Sequence, residues 1–313
     1  MEYALLILVT LFCSSRAVIM KKMGHDSTNM PSVLFLNSNI FFIGSITVIL
    51  LSVSDLKSLF ELSGFSLLLA LLFGVFLLVM QVTLMLALSS GAASLSTLIY
   101  SCGFLIPIFY SAIFLSESIS IYQWLGILAL CVSLIFIIPP KKGEKLSLRW
   151  LIFSVCSLLG SGSLAVVQKI HQNSPHKSEL QGFIFFGLLF AAVLLFFGSL
   201  VSKRLECHLG KSAISGTGTL EKRGEISELF SLFSSRKTTV LLIAVGIIVG
   251  ALNVINTSLT GKLPSVIHFP VYNGCSMILT AIAGRILFGE RIGKLKLAGF
   301  VLGIASIIVI GLF

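Results

Sequence analysis

The residues best suited to chemistry in this sequence are a few polar side chains that stand within long apolar stretches. Arg16 follows a largely apolar segment, and its guanidinium needs a cavity or a partner if that segment crosses a membrane. A guanidinium binds a carboxylate or a phosphate through two parallel hydrogen bonds, so Arg16 is a candidate anion site. The alternative is that its side chain extends to the membrane surface beside Lys21 and Lys22.

Amides form a second group of candidates. Asn253 and Asn256 are three residues apart and therefore share one helix face, and Gln81 lies in a comparable apolar stretch. These amides can bind a substrate, and the alternative is hydrogen bonding between helices, which is common for amides in bilayers.

His268 lies between Pro264 and Pro270, which can disrupt a helix and turn carbonyl groups towards a cavity. It is the one side chain within an apolar stretch that titrates near neutral pH. Substrate contact or proton relay is one interpretation, and a buried packing histidine is the other.

Aromatic side chains can form the walls of a site. Tyr100, Tyr110 and Tyr272 can line an organic substrate or hold a cation over their rings, and ordinary core tyrosines are the alternative. Asn273 follows Tyr272 directly. The predicted substrate-binding residues are Arg16, Gln81, Tyr100, Asn253, Asn256, His268, Tyr272 and Asn273.

The elements that carry these residues are predicted to be membrane spans. Of 313 residues, 56% are hydrophobic and 11% are charged, and a soluble domain of this length cannot bury so much apolar surface. A span needs about 20 apolar residues. We predict an all-α integral membrane protein with ten transmembrane helices, at about 3–20, 32–53, 65–88, 92–115, 119–138, 150–168, 181–202, 239–260, 265–288 and 295–313.

The net charge of +10 does not indicate a nucleic-acid partner. The basic residues lie in short loops between spans, where lipid headgroups and membrane topology account for them. Five of the six cysteines fall within predicted spans, and no zinc-ligand spacing occurs. We therefore predict no metal, no cofactor and no nucleic acid, with the lipid bilayer as one partner.

One phrase occurs twice, with a lone acid at the same place in each copy. Residues 113–133 (IFLSESISIYQWLGILALCVS) match residues 286–306 (ILFGERIGKLKLAGFVLGIAS), so that Glu117 is equivalent to Glu290 at an offset of 173 residues. The same register pairs Met80 and Thr83 with Asn253 and Asn256, and Tyr100 with Asn273.

The opening helices match at a smaller offset of 148, with AVIMK at 17–21 and AVVQK at 165–169. The chain is therefore predicted to consist of two five-helix repeats, 1–140 and 141–313, with an inserted loop at about 203–237. Five crossings invert the second repeat, and inverted repeats allow a central site to open to either side of a membrane.

The repeated phrase, the ten spans and the 5+5 division resemble the EamA repeat of the drug/metabolite transporter superfamily, as does the lysine ending the first helix of each half (Lys21, Lys169). The resemblance implies a central cavity surrounded by the third, fourth, eighth and ninth spans, joined by the first and sixth. It implies no single substrate, since members carry amino acids, drugs, sugars, nucleotide-sugars and quaternary amines.

Four-helix multidrug relatives carry a carboxylate within their first helix, which exchanges protons for drug. No Asp or Glu lies in the middle of a predicted span here. We therefore expect a facilitator or an exchanger, or weak proton coupling through His268.

Glu117 and Glu290 lie at the ends of spans, where an acid can cap the N–H groups of the next helix and suits its positive end. We predict that both acids shape this corner and contact no substrate. A role in gating is the alternative.

We predict a secondary transporter that moves a small organic metabolite by alternating access, with amino acids or organic acids favoured, and that is not an enzyme. The alternatives are a transporter of cationic or drug-like compounds and a membrane-embedded enzyme for lipid-linked substrates. The enzyme would need catalytic motifs or paired intramembrane carboxylates, which the sequence lacks. One copy is enough for transport, and a homodimer is compatible with the sequence.

Loops after odd-numbered spans hold sixteen basic residues. Those after even-numbered spans, with Lys169 counted among them, hold four. The positive-inside rule then predicts cytoplasmic odd loops and extracytoplasmic termini, in the cell (plasma or inner) membrane. Relatives usually have cytoplasmic termini, so the resemblance implies the opposite orientation.

Overall fold

In the computed structural model, residues 1–23, 29–53, 56–91, 93–138, 147–213, 236–289 and 293–312 are described. This part of the chain is helical and contains no strand. Nine of its helices are long and apolar enough to cross a membrane, and a tenth, Ile121–Ile137, is shorter and apolar. The predicted all-α membrane architecture is therefore confirmed. Glu290 lies outside the described residues.

The first half of the chain contains five spans. The helices are α1 (Glu2–Met23), α2 (Met30–Leu51), the short α3 (Leu56–Phe60), α4 (Gly64–Ser90), α5 (Ala93–Ser101), α6 (Leu105–Phe114) and α7 (Ile121–Ile137). A 3-10 turn joins α5 to α6, so the two form one span, whereas α3 is too short to be one.

The second half also contains five spans. They are α8 (Leu148–Gln172), α9 (Leu180–Ala213), α10 (Arg236–Thr260), α11 (Ser265–Phe288) and α12 (Lys294–Leu312). One helix end and one expected helix disruption differ from the sequence prediction. Helix α9 continues to Ala213, into the predicted loop, and α11 continues through Pro270, which neighbouring helices make tolerable in a membrane.

Serine caps begin several of these helices. The Ser63 and Ser147 hydroxyls accept hydrogen bonds from the backbone N–H groups of Ser66 and Trp150. At the start of α7, Ser120 and Gln123 form a capping box. These side chains satisfy N–H groups that a helix start leaves without partners.

Many contacts between helices have an equivalent elsewhere in the bundle. In these cases two spans pack on each other, and the spans five positions away from them along the chain also pack on each other. Helix α4 packs on α8 as α1 packs on α10, and α4 packs on α9 as α2 packs on α10. The equivalent spans α2 and α9, and likewise α7 and α12, pack on each other. Two repeats related by a twofold axis make such contacts, which support the division into repeats.

The repeated phrase contacts its own copy across this axis. A Cβ atom built on Gly126 would lie 3.2 Å from the Ser306 carbonyl oxygen, and one on the equivalent Gly299 would lie 3.0 Å from the Ser133 carbonyl oxygen. Ser133 and Ser306 are themselves equivalent. Each glycine therefore allows close approach of α7 and α12 at a reciprocal position.

Both corners of the repeat also share one unusual backbone conformation. Ser116 has φ of 53°, and Gly289, which is equivalent to it at the offset of 173, has φ of 66°. This left-handed conformation ends the preceding helix and reverses the chain. A serine pays a steric penalty there that glycine avoids.

Replacing Ser116 by glycine is therefore expected to stabilise the protein by about 1 kcal/mol. The matched control is Ser89→Gly, an exposed position within α4, which should lower the stability by roughly 0.5–1 kcal/mol. Thermal unfolding of the purified variants in detergent measures both effects. A fall in melting temperature for Ser116→Gly as large as that for Ser89→Gly would contradict the assigned conformation.

Candidate functional site

A central cavity of about 550 Å³ lies between two apolar clusters of the bundle. One cluster is formed mainly by α2, α4, α8, α9 and α10, and the other by α6, α7, α11 and α12. The first, third, fourth, sixth, eighth and ninth spans all contribute to the cavity wall, as the resemblance implies. Its volume lies in the range of small-molecule sites.

The cavity extends towards one face of the membrane. Its wall includes Lys21, Ile138, Phe288 and Lys296, which lie at the helix ends that meet the loops after odd-numbered spans. We call this the odd face, and the opposite one the even face.

Six of the eight predicted substrate-binding residues lie in this wall. They come from four different spans, which only the fold brings together. The six are Arg16, Tyr100, Asn253, Asn256, Tyr272 and Asn273.

Gln81 was expected at the site and is not among the residues that line the cavity. Its neighbour Met80 lines the cavity instead. Successive residues of a helix point about 100° apart, so Met80 can face the cavity while Gln81 points away from it. The repeat register agrees, because it pairs Met80 with Asn253.

His268 is the second predicted residue that is absent from the cavity wall. Its side chain is fully buried one turn nearer the even face than Tyr272, and its ring lies parallel to the Tyr272 ring at 6.3 Å. Neither ring nitrogen has a hydrogen-bond partner among the described residues. The proposed contact of His268 with substrate is therefore not supported in this conformation.

Tyr110 also lies elsewhere. It stacks on Phe114 with ring centroids 5.1 Å apart, in an apolar groove between α4, α6 and α8. The hydroxyls of the two cavity tyrosines have sulfur partners: Tyr100 lies 3.8 Å from Met80 Sδ, and Tyr272 lies 3.4 Å from Cys13 Sγ.

Arg16 faces the cavity rather than the membrane surface. Its guanidinium makes no ion pair or hydrogen bond with any described residue, and it lies within electrostatic range of Tyr100 and Tyr272. Leu164, the equivalent residue in the other half, lines the cavity too. The two repeats thus present the same position, with a charge in only one of them.

The described wall of the cavity contains basic side chains. Arg16, Lys21 and Lys296 line it, and no Asp or Glu of the described chain does. Lys21 Nζ lies 4.9 Å above the centre of the Phe288 ring. A low-dielectric cleft lined by one sign of charge concentrates ions of the opposite sign, which here are anions.

Hydrogen bonds between α8 and α10 close the cavity towards the even face. Gln168 Nε2 donates to Thr257 Oγ1 at 2.8 Å, and Asn256 Nδ2 lies 3.5 Å from Gln168 Oε1. Beyond this layer lies a buried ion pair. Lys169 Nζ is 2.7 Å from Glu117 Oε1, and the lysine side chain is only 4% exposed.

The ion pair links the two halves of the chain. Lys169 Nζ also donates to the Thr260 carbonyl at 2.8 Å, and Glu117 Oε2 accepts a 2.8 Å hydrogen bond from the Ser265 N–H group. Glu117 thus caps α11. The prediction that it caps the next helix, α7, is wrong. The next helix is already capped by Ser120, so its N–H groups need no acid.

Lys169 is the functional candidate that the sequence did not identify, because it was counted among the loop residues. It ends the first helix of its repeat, as Lys21 does, and the repeat register pairs Glu117 with Glu290. The sequence signal for this ion pair was the presence of two equivalent lysines and two equivalent acids at the ends of spans. Their contact joins different halves, which local sequence does not predict.

Comparisons with known proteins agree with this architecture. Residues 1–138, the first predicted repeat, match the EamA-like transporter family, which confirms the resemblance. One solved structure, described only as the crystal structure of a protein, superposes with a TM-score of 0.69 at 14% identity, covering 98% of this chain and 95% of its own. That likeness concerns the fold alone. No curated protein sequence matches the chain.

If the cavity holds water and opens at the odd face, a cysteine at Ala165, a small lining residue of α8, should react with a charged thiol reagent from that face. The six native cysteines are first removed, because Cys13 also lines the cavity. Leu159→Cys on the same helix is the control, since its side chain is 51% exposed on the lipid-facing surface and should remain unlabelled. Faster labelling of Ala165→Cys from the even face would contradict the closure described above.

Proposed function

We propose that this chain, whose residues 1–138 match the EamA-like transporter family, is a secondary transporter of a small organic metabolite that carries a carboxylate. The observation that carries the proposal is the guanidinium of Arg16, which lines the cavity and has no partner among the described residues. An arginine cannot lose its proton at physiological pH, so a charge so placed needs water or an anion.

A carboxylate suits this position best. Guanidinium and carboxylate form two parallel charge-assisted hydrogen bonds, which are stronger in a low-dielectric cavity than in water. Amino acids and organic acids are therefore favoured. A cationic or drug-like substrate, the rival class, would meet the Arg16 guanidinium and no described acid.

An enzyme for lipid-linked substrates is less well supported. Acid–base chemistry requires titratable groups within hydrogen-bond reach of the substrate. The described lining of the cavity includes no Asp, Glu or His. For the same reason, we propose facilitated movement or exchange in preference to coupling through a carboxylate or His268.

Alternating access is supported by the unequal ends of the cavity. The Glu117–Lys169 pair lies beyond its closed end, where it joins α8 of one repeat to the start of α11 and to the α6–α7 corner. We propose that this pair holds the even face shut and separates when the cavity opens there. Glu290 and Lys21 hold the equivalent positions in sequence, and we propose the same role for them at the odd face.

The positive-inside count places the odd face in the cytoplasm, so we propose a cavity open to the cytoplasm and termini outside it, in the cell membrane. Lys169 is buried in a helix, and leaving it out of the count makes the asymmetry larger. An impermeant thiol reagent added outside cells should then spare the cysteine at position 165. The remaining proposed partners are the small-molecule substrate and lipid, and one copy contains the whole cavity.

Substituting Arg16 should weaken substrate binding by purified protein. Arg16→Ala should reduce the affinity for carboxylates at least about tenfold, since a charged hydrogen bond contributes about 1.5–3 kcal/mol and 1.4 kcal/mol is tenfold. Arg16→Lys should also weaken binding, because it keeps the charge and loses the fork. Titration with a panel of L-amino acids and small carboxylates measures the change.

The matched control is Arg285→Ala, which removes an exposed arginine of α11 that lies outside the cavity wall. Its affinities should equal those of the wild type. Unchanged affinity of Arg16→Ala for the ligand that the wild type binds would contradict the proposal.

Removing the Glu117 charge should open the even face. Glu117→Gln leaves Lys169 buried without its partner, so the double variant Glu117→Gln/Lys169→Gln is made as well, in which no buried charge remains. In both, labelling of a cysteine at Ala165 from the even face should rise at least about tenfold. A folded double variant that is still labelled from the odd face alone would leave Glu117 with a structural role only.

A further inference from the structure

Each of the three asparagines of the cavity wall has an amide oxygen that can accept a hydrogen bond, whereas Arg16 can only donate. Asn253 Nδ2 donates to the Val249 carbonyl at 2.9 Å, and Asn273 Nδ2 donates to the Phe269 carbonyl at 2.9 Å. Only the NH₂ group of an amide can donate to a carbonyl oxygen. The neighbouring carbonyl therefore fixes the orientation of each amide and leaves its Oδ1 as the group without a donor.

Asn256 has the same polarity by a different route. Its Nδ2 faces Gln168 Oε1 at 3.5 Å, while the NH₂ group of Gln168 is directed to Thr257 Oγ1. Asn256 Oδ1 is buried and has no hydrogen-bond partner among the described residues, and the residue is 7% exposed. A buried carbonyl oxygen without a donor is unfavourable, and this atom can accept from a ligand once a small movement of the wall exposes it to the cavity.

These acceptors all belong to the second half of the chain. The equivalent residues of the first half are Met80, Thr83 and Tyr100, none of which carries an amide. The first half instead provides Arg16, a side chain that can only donate. The cavity therefore has a donor side and an acceptor side, contributed by different repeats.

We propose that the Oδ1 atoms of Asn253, Asn256 and Asn273 form an acceptor wall that binds the protonated amine of the substrate. An ammonium group has three donors and no acceptor, which matches a set of carbonyl oxygens, whereas a hydroxyl or a second carboxylate would bring acceptors of its own. The site thus selects amino acids over carboxylates without an amine. This inference rests on the proposed role of Arg16 in holding the carboxylate.

A zwitterion also fits the overall charge of the cavity. The positive side chains disfavour a free cation, but an amino acid carries its own carboxylate and enters without net charge. Neutral amide oxygens can hold the ammonium in this case, since the charge that balances it comes with the substrate. The ring faces of Tyr100 and Tyr272, in the same wall, add cation–π attraction.

The test compares ligands that differ only in the amine. Purified protein is titrated with L-leucine and 4-methylpentanoate, L-phenylalanine and 3-phenylpropanoate, and L-glutamate and glutarate. We expect the amino acid of at least one pair to bind about tenfold or more tightly than its partner. Asn253→Leu should remove most of this preference while leaving the affinity for the amine-free acid nearly unchanged. Arg16→Ala should lower the affinity for both ligands of the pair.

Asn39→Leu is the matched control. Asn39 makes the same type of hydrogen bond, from Nδ2 to the Phe35 carbonyl at 2.8 Å, but lies on α2 outside the cavity wall. Its preference for the amino acid should equal that of the wild type. Asn256→Leu and Asn273→Leu repeat the test if Asn253→Leu does not fold.

The outcomes separate this inference from the proposed function. Equal affinity for both members of every pair, with both lost in Arg16→Ala, would overturn the acceptor wall and leave the anion site intact. A preference that persists in all the asparagine variants would overturn it as well. Affinities that are the same in Arg16→Ala as in the wild type would overturn the proposed function together with the acceptor wall. The absence of binding for every pair would do the same.

Discussion

A charge within a membrane protein must be paired or hydrated, and this constraint organises the structure. The chain meets it in two ways. Lys169, whose side chain is only 4% exposed, is paired with the partly buried Glu117, and the buried lysine without this acid would be strongly destabilising. Arg16 has no such partner among the described residues, and the cavity beside it has room for water or an anion. One arrangement supports closure, and the other supports binding.

The internal repeat explains how both arrangements arise in one fold. Equivalent glycines at positions 126 and 299 bring α7 and α12 together, and equivalent left-handed residues at positions 116 and 289 turn the chain at both corners. The scaffold is thus nearly symmetric, whereas the cavity is not. The residue equivalent to Arg16 in the other repeat is a leucine, and the residues equivalent to the three cavity amides are Met80, Thr83 and Tyr100. Symmetry suits alternating access, and asymmetry suits recognition of a polar substrate.

The sequence predicted the spans, because apolar length decides what a bilayer accepts. Six of its eight candidate residues line the cavity, because polar groups in spans are rare and tend to face such a space. The same prediction placed Gln81 and His268 at the site because composition identifies a polar residue within a span but not the face on which it lies. The repeat register excludes Gln81, since it pairs Met80 with Asn253. The contact of Glu117 with Lys169 joins two halves of the chain, and only the packing of helices brings the two residues together.

The central claim is that the Arg16 guanidinium binds the negatively charged group of the substrate. The most direct measurement is the anomalous scattering of crystals soaked in bromide, which locates a bound anion without knowledge of the substrate. The account predicts a bromide peak in the cavity within hydrogen-bonding distance of the Arg16 guanidinium, and the loss of this peak in Arg16→Ala. A cavity without bromide, with peaks only at the lysines of the membrane surface, would contradict it.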